Sequence, residues 1–228
     1  MLENKVKKIK QLIEIKKLIE FNPKPSLNNI ADKLDKYLNF ENGFFVELGA
    51  NNGYNQSNTF HLEYLKNWTG ILIEGIPELY RICKYLRINS IVENFACVSN
   101  DCDHKKIEMR YAGLMSIVKG ALKSEINDNI HVQKGLKCQQ INEEYTVKVQ
   151  TNTLTNILNK NKITKIDFLS LDVEGFELQV LKGFDINKFK PTYICIEARF
   201  FDEIDAFLSP KYHIIDQLSY HDYLYKIR

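Results

Sequence analysis

An α/β fold, with a mostly parallel sheet and helices on both faces, is predicted by three observations. Short apolar runs of strand length recur along the chain. Stretches of helical spacing alternate with them, and several of the runs end in glycines or carboxylates. With 228 residues and 44% of them hydrophobic, the chain can bury the core of one domain and still carry a short extension. A formal net charge of +2 gives no reason to expect a polyanion binder, and no apolar run reaches the length of a membrane span.

Taken in order, residues 4–21 set Val6, Ile9, Leu12, Ile13, Ile15, Leu18 and Ile19 among lysines at largely helical spacing. This amphipathic helix ends at Asn22-Pro23, because proline disfavours helix in the residue before it. It lacks the uninterrupted apolar core of a secretory signal, and its lysines read as a solvated face. Ser26 is expected to cap a second helix over 27–39, with Ile30, Leu34 and Leu38 on one face. Residues 1–40 are thus read as a helical extension, a packing arm or homodimer contact, and 41–228 as the main domain.

Within that domain, strands are expected at 44–48, 70–74 and within 90–98, separated by helices over 57–66 and 78–86. The polar segment 104–150 predicts irregular structure, a loop region over the substrate. A short helix at 153–158, a strand at 166–171, a helix from 177 and a strand at 192–197 follow. Residues 212–227 read as a closing hairpin. The 5 cysteines (Cys83, Cys97, Cys102, Cys138 and Cys195) are odd in number and include no C-x-x-C pair. They predict reduced thiols in a cytoplasmic protein rather than a disulfide framework or a zinc site.

Two motifs carry chemistry. The first is Glu47-Leu-Gly49-Ala-Asn51-Asn-Gly53, where the first strand gives way to a turn. Glycines there let a ligand approach the backbone. The next strand ends in Glu74, followed by Gly75, and a carboxylate in that place can accept hydrogen bonds from ribose hydroxyls. A dinucleotide site shows G-x-G-x-x-G and seats pyrophosphate on a helix N-terminus. Here the spacing is G-x-x-x-G, and an acidic Glu47 beside the loop suits a ligand with an ammonium and a sulfonium better than a pyrophosphate. S-adenosylmethionine is therefore favoured over a nicotinamide cofactor.

The second motif is Leu169-Ser-Leu-Asp172-Val-Glu174-Gly175-Phe-Glu177, which delivers carboxylates to the carboxyl end of a strand. That rim is where ligands bind in open α/β sheets. Asp172 can meet a substrate hydroxyl, a metal ion or a cofactor amino group, whereas Glu177 suits the first turn of the following helix. Glu197 ends the next strand toward the same rim, with Arg199 placed to neutralise it. A divalent cation at Asp172 and Glu197 is one way to hold such a pair.

The two motifs, joined by Ser57-Asn58-Thr59, Ile73-Glu74-Gly75-Ile76-Pro77, Asn94-Phe-Ala96-Cys-Val-Ser99 and Ile194-Cys-Ile-Glu197, resemble the FkbM family of methyltransferases over about residues 40–228. The resemblance implies a class I methyltransferase fold, Rossmann-like, with a seven-stranded sheet and one antiparallel strand. It implies S-adenosylmethionine held by Gly49, Ala50, Asn51, Gly53 and Glu74, with the 94–96 turn (Asn94 and Ala96) near adenine. Glu47, Ser57, Thr59, Gly75 and Asp172 complete the expected cofactor surroundings. Gly75-Ile76 departs from the family's proline-asparagine type of pair, which alters the adenine side.

The implied reaction is methyl transfer to a hydroxyl of a sugar or glycan, with a small-molecule or glycan acceptor and no nucleic-acid partner. Asp172, Glu174 and His131 are the candidates for the base. The lysines of 104–150 would favour an anionic acceptor such as a nucleotide sugar. A nicotinamide-dependent oxidoreductase and a non-catalytic cofactor-binding protein are the alternatives.

Overall fold

The computed structural model describes residues 2–228. The chain opens with α1 (Leu2–Phe21), a single 3-10 turn (Leu27–Asn29) and α2 (Ile30–Leu34). It continues through β1 (Phe44–Leu48), α3 (Phe60–Leu65), β2 (Thr69–Ile73), α4 (Pro77–Leu86) and β3 (Ile91–Glu93). The middle holds β4 (Ala96–Cys97), β5 (Lys106–Tyr111), β6 (Ile117–Val118), α5 (Glu125–Gln139) and β7 (Tyr145–Asn152). The last third adds α6 (Leu154–Lys160), β8 (Phe168–Leu171), α7 (Glu177–Lys182), α8 (Ile186–Phe189), β9 (Tyr193–Glu197) and α9 (Phe201–Leu208). The hairpin β10 (Tyr212–Gln217) and β11 (Asp222–Ile227) closes the chain.

The main sheet has 7 strands in the order β10-β11-β9-β8-β1-β2-β3. From β3 across to β9 every pairing is parallel, while β11 runs antiparallel to both β9 and β10. Its strands are apolar on both faces because both faces are covered. Along β1, Val46 and Leu48 pack into one core cluster with Ile71 and Leu169, and Phe45 packs into the other with Leu72 and Phe168. Each such fully buried side chain contributes about 1.5–3 kcal/mol. The connections leave β1 toward β2 on one side and return to β8 on the other. A cleft therefore opens past the carboxyl ends of these strands.

The N-terminal residues join this core. Ile30, Leu34 and Leu38 are buried against Leu218 and Leu224 of the closing hairpin. The helix expected over 27–39 is shorter than its apolar spacing suggests. Asn28 and Asn29 are left-handed, with φ of 52° and 56°, which breaks the run before Ile30. Ser26 Oγ still accepts the Ala31 amide at 2.7 Å. Ile15, Leu18 and Ile19 of α1 pack on Tyr54, Phe60 and Leu86, while Val6, Ile9, Leu12 and Ile13 stay exposed. No helix among the described residues is long and apolar enough to cross a membrane.

The segment 104–150 is ordered, contrary to its polar reading. It supplies three strands of a second sheet of order β4-β7-β5-β6, with β7 parallel to β4 and antiparallel to β5. Ile107 and Met109 pack with Ala112, Ile117, Val132 and Leu136 in a separate small core beneath α5. Ser124 caps that helix by accepting the Asn127 amide. The sheet stands over the cleft.

Candidate functional site

A cleft enclosing about 960 Å³ of empty space, open to solvent, lies across the carboxyl ends of β1, β2 and β8. From the β1 turn it is lined by Glu47, Gly49, Ala50, Asn51 and Ser57, and from the β2 end by Glu74 and Gly75. Ala96, Asp172 and Glu174 line it too. Gly53, Thr59, Asn94 and His131 stand behind this lining. Glu197 lines an adjoining pocket that also touches Asp172 and Glu174.

The turn after β1 satisfies its own backbone. Gly49 and Ala50 donate to the Ile73 carbonyl at 3.1 and 3.2 Å, and Gly53 donates to the Ala50 carbonyl at 2.8 Å. The Asn51 amide donates to Glu74 Oε2 at 2.7 Å, and the Asn52 amide to Asn51 Oδ1 at 2.8 Å. No run of free N–H groups is left to cradle an anion, and α3 does not begin until Phe60. Both glycines are required by close protein packing. Gly49 has φ +75°, and a Cβ on it would lie 1.7 Å from the Asp172 carbonyl oxygen. Gly53 has φ +80°, and a Cβ there would meet Arg87 and Cys83 at 2.8 and 2.9 Å.

Glu74 is the pivot of this end. Its second oxygen, Oε1, accepts the Ile76 amide at 2.7 Å. Asn94 Nδ2 holds the Glu74 and Gly75 carbonyls, both at 2.8 Å. Burial pushes the Glu74 carboxyl up to about 7, against the pull of these backbone donors. Leu79, Phe95, Met109 and Val180 form apolar walls beside it.

Glu47 is spent inside the protein. Its carboxylate accepts Ser57 Oγ at 3.1 Å, the Asn58 amide at 3.0 Å and Thr59 Oγ1 at 2.7 Å. Arg87, fully buried, adds Nη1 at 3.4 Å and binds Glu63 at 2.8 Å. Arg87 was invisible as a site residue in the sequence, since nothing near the end of α4 marks it.

At the β8 end the carboxylates are crowded. Arg199 pairs with Glu174 and, at 3.2 Å, with Glu197, and leaves Asp172 out of both ion pairs. Glu177, wholly buried, fixes the Asp172-Val-Glu174-Gly175 turn by accepting the Val173 and Gly175 amides at 3.1 and 2.9 Å. That turn holds Glu174 at φ 56°. The Asp172 side chain faces solvent in the cleft, yet it is ringed by protein. This surrounding and the charges of Glu197, Glu177 and Asp222 raise its carboxyl well above the usual range. Burial and Asp172 raise Glu174 to about 8, and burial and Glu174 raise Glu197 to about 8. His131 Nε2 stands 3.4 Å from Glu174 Oε2 without a hydrogen-bond partner, and burial lowers this imidazole to about 4.

Residues 47–226 match the model of the methyltransferase FkbM domain. The chain belongs to the FkbM methyltransferase family. No curated protein shows significant similarity to this FkbM domain. Among solved structures it is similar to a SAM dependent methyltransferase from Aquifex aeolicus, with a TM-score of 0.36 and 10% identity, over 86% of this chain and 87% of that one. Of the residues that shape the FkbM cleft here, Asn58 and Phe95 had no signal of their own in the sequence. Phe95 lies inside a recognised motif, and Asn58 between Ser57 and Thr59.

Proposed function

We propose that this chain transfers a methyl group from S-adenosylmethionine to a hydroxyl of a sugar or glycan, on a sheet of class I methyltransferase layout. The observation that carries the cofactor reading is the β1 turn. Its amides from 49 to 53 are bonded within the protein, and a buried carboxylate, Glu74, faces the cleft beside them. A pyrophosphate needs free N–H donors, so the nicotinamide alternative fits poorly. A phosphate-free, hydroxyl-rich and positively charged ligand fits well.

Each oxygen of Glu74 accepts one backbone amide and keeps a lone pair for a ribose hydroxyl. Leu79, Phe95 and Val180 offer the apolar slot that a purine requires. When bound, the cofactor supplies a methyl group activated by its sulfonium. The chain's own task is then to align an acceptor oxygen and take its proton, worth about 10²–10⁴-fold for the proton alone. Asp172 is the residue proposed for this step. It lines both the cleft and the adjoining pocket and is in neither ion pair of Arg199. Glu174 is held by Arg199, and His131 is withdrawn behind it, so both are proposed to position rather than to react.

A divalent cation is the second reading of this rim. Asp172, Glu177 and Glu197 can bring one oxygen each within 4.8 Å of one another. Glu197 is already paired with Arg199 and one Glu177 oxygen with backbone amides, so the guanidinium supplies the positive charge there. The test is conversion of S-adenosylmethionine to S-adenosylhomocysteine in the presence of neutral and amino sugars, followed by mass spectrometry with and without EDTA. Methylated sugar formed in both conditions supports the reading. Methylation of oxygen that stops in EDTA supports the cation, and reduction of a nicotinamide instead would refute methyl transfer.

A further inference from the structure

Past Asp172 the cleft runs into a second pocket, with about 990 Å³ of empty space. Asp172, Glu174, Asn58, Gln56 and Leu114 line both, so the two are continuous. We propose that this pocket is the acceptor subsite and that it takes an acceptor carrying a protonated amine beside its hydroxyl, as in an amino sugar, in preference to an anionic one. The proposal rests on the methyltransferase reading above.

The first argument is charge. The carboxylates of Asp172, Glu174, Glu197 and Asp222 line the pocket against the single guanidinium of Arg199. The lysines that suggested an anionic acceptor are turned elsewhere: Lys119 pairs with Glu108 at 3.0 Å, and Lys123 with Glu203. No lysine is among the described residues lining the pocket. These carboxyls hold their protons because they are buried and crowd one another, so an ammonium would let them ionise, while an anion would add to the crowding.

The second argument is independent of charge. Asn58 is more than nine-tenths buried, with 8% of its surface exposed. Its Nδ2 donates to Ser170 Oγ at 3.1 Å, and its Oδ1 has no donor. Glu177 Oε2, behind the rim, is a second buried acceptor without a donor. A buried acceptor left unpaired costs about 1–3 kcal/mol, so Asn58 Oδ1 calls for an N–H or O–H from a ligand. Two donor side chains of the wall are already engaged. Arg199 serves Glu174 and Glu197, and Gln139 Nε2 serves the Ala112 and Gly135 carbonyls at 2.9 and 3.0 Å. An ammonium brings three donors and no acceptor, which complements such a wall better than a phosphate, which brings only acceptors. Leu27, Ile30 and Met115 supply an apolar side for a sugar ring.

The test titrates the full-length protein, saturated with S-adenosylhomocysteine and in EDTA, with glucosamine, glucose and glucose 6-phosphate by ligand-observed NMR. The expected result is glucosamine binding at least tenfold tighter than glucose, with glucose 6-phosphate weakest. In a Glu197→Gln/Asp222→Asn double variant the preference should fall to within about twofold, with S-adenosylhomocysteine affinity unchanged. Glucose 6-phosphate binding as tightly as glucosamine, a preference that survives in the double variant, or no glucosamine binding would each overturn the proposal. The wild-type comparison decides the matter even if the variant does not fold. Failure of S-adenosylhomocysteine itself to bind would sink the methyltransferase reading, and this proposal with it.

Discussion

Glu47, Glu63 and Arg87 form one buried acidic cluster, and Asp172, Glu174, Glu177 and Glu197 with Arg199 form another. In the first, a wholly buried guanidinium binds both carboxylates, and Ser57, the Asn58 amide and Thr59 fill the remaining acceptor sites of Glu47. In the second, four carboxylates share one arginine that is a quarter exposed, Asp172 is in neither ion pair, and a Glu177 oxygen is left without a donor. Charge buried with its partners is architecture, because removing any member leaves an uncompensated ion. Charge gathered without partners destabilises the fold unless a ligand uses it. Both clusters sit at the carboxyl ends of the same sheet, the first closed on its arginine and the second lining the cleft and its adjoining pocket.

The largest effect expected is at the open cluster. Asp172→Asn should lower methyl transfer by about 10²–10⁴-fold while the free energy of unfolding stays level or rises, since like charges are thinned. Steady-state rates on a sugar acceptor and guanidinium denaturation of the same samples check both halves. A variant that kept its rate would remove Asp172 from the chemistry. At the closed cluster the signs invert. Arg87→Met should cost about 3–5 kcal/mol of stability by stranding Glu47 and Glu63, measured by denaturant unfolding. A loss below about 1 kcal/mol would mean that the network is not the clamp described here.

Gly49→Ala probes the joint between the two regions, where β1 passes the Asp172 carbonyl. The clash, added to a positive φ, should cost about 3 kcal/mol or more and should weaken turnover beyond what instability explains. The smallest effect is one of pH. Glu174 and Glu197 lie at about 8 in the folded protein against 4.5 for the free side chain, so the folded state binds more protons across that interval. Their stabilising contribution is complete below about 4.5 and is lost as pH rises through about 8. Glu197→Gln should therefore gain on the wild type in unfolding free energy as pH climbs through this window. A constant difference would contradict the crowding of the rim.

Much of the main sheet was legible because strands covered on both faces are continuously apolar, as at Phe44–Leu48, Phe168–Leu171 and Tyr193–Glu197. The second sheet was not. In β5 the inward Ile107 and Met109 alternate with Lys106, Glu108 and Arg110, and the partner strand lies far along the chain, with Arg110 opposite Thr146. One wet face and a distant partner leave only a polar stretch to read. Glu74 could be placed because an acidic residue ending a strand is a local signal. The fate of Glu47 could not, because Arg87 arrives from a helix 40 residues away. The glycines were legible as a turn, but their packing against the Asp172 carbonyl at Gly49 and against the Arg87 and Cys83 side chains at Gly53 was not.

Calorimetric titration of the purified protein with S-adenosylhomocysteine tests the central claim most directly, with reduced nicotinamides as controls and Glu74→Gln beside the wild type. Micromolar binding by the wild type, at least tenfold weaker in Glu74→Gln and absent for the nicotinamides, is the predicted result. Binding of nicotinamides alone, or equal S-adenosylhomocysteine affinity in the variant, would contradict it.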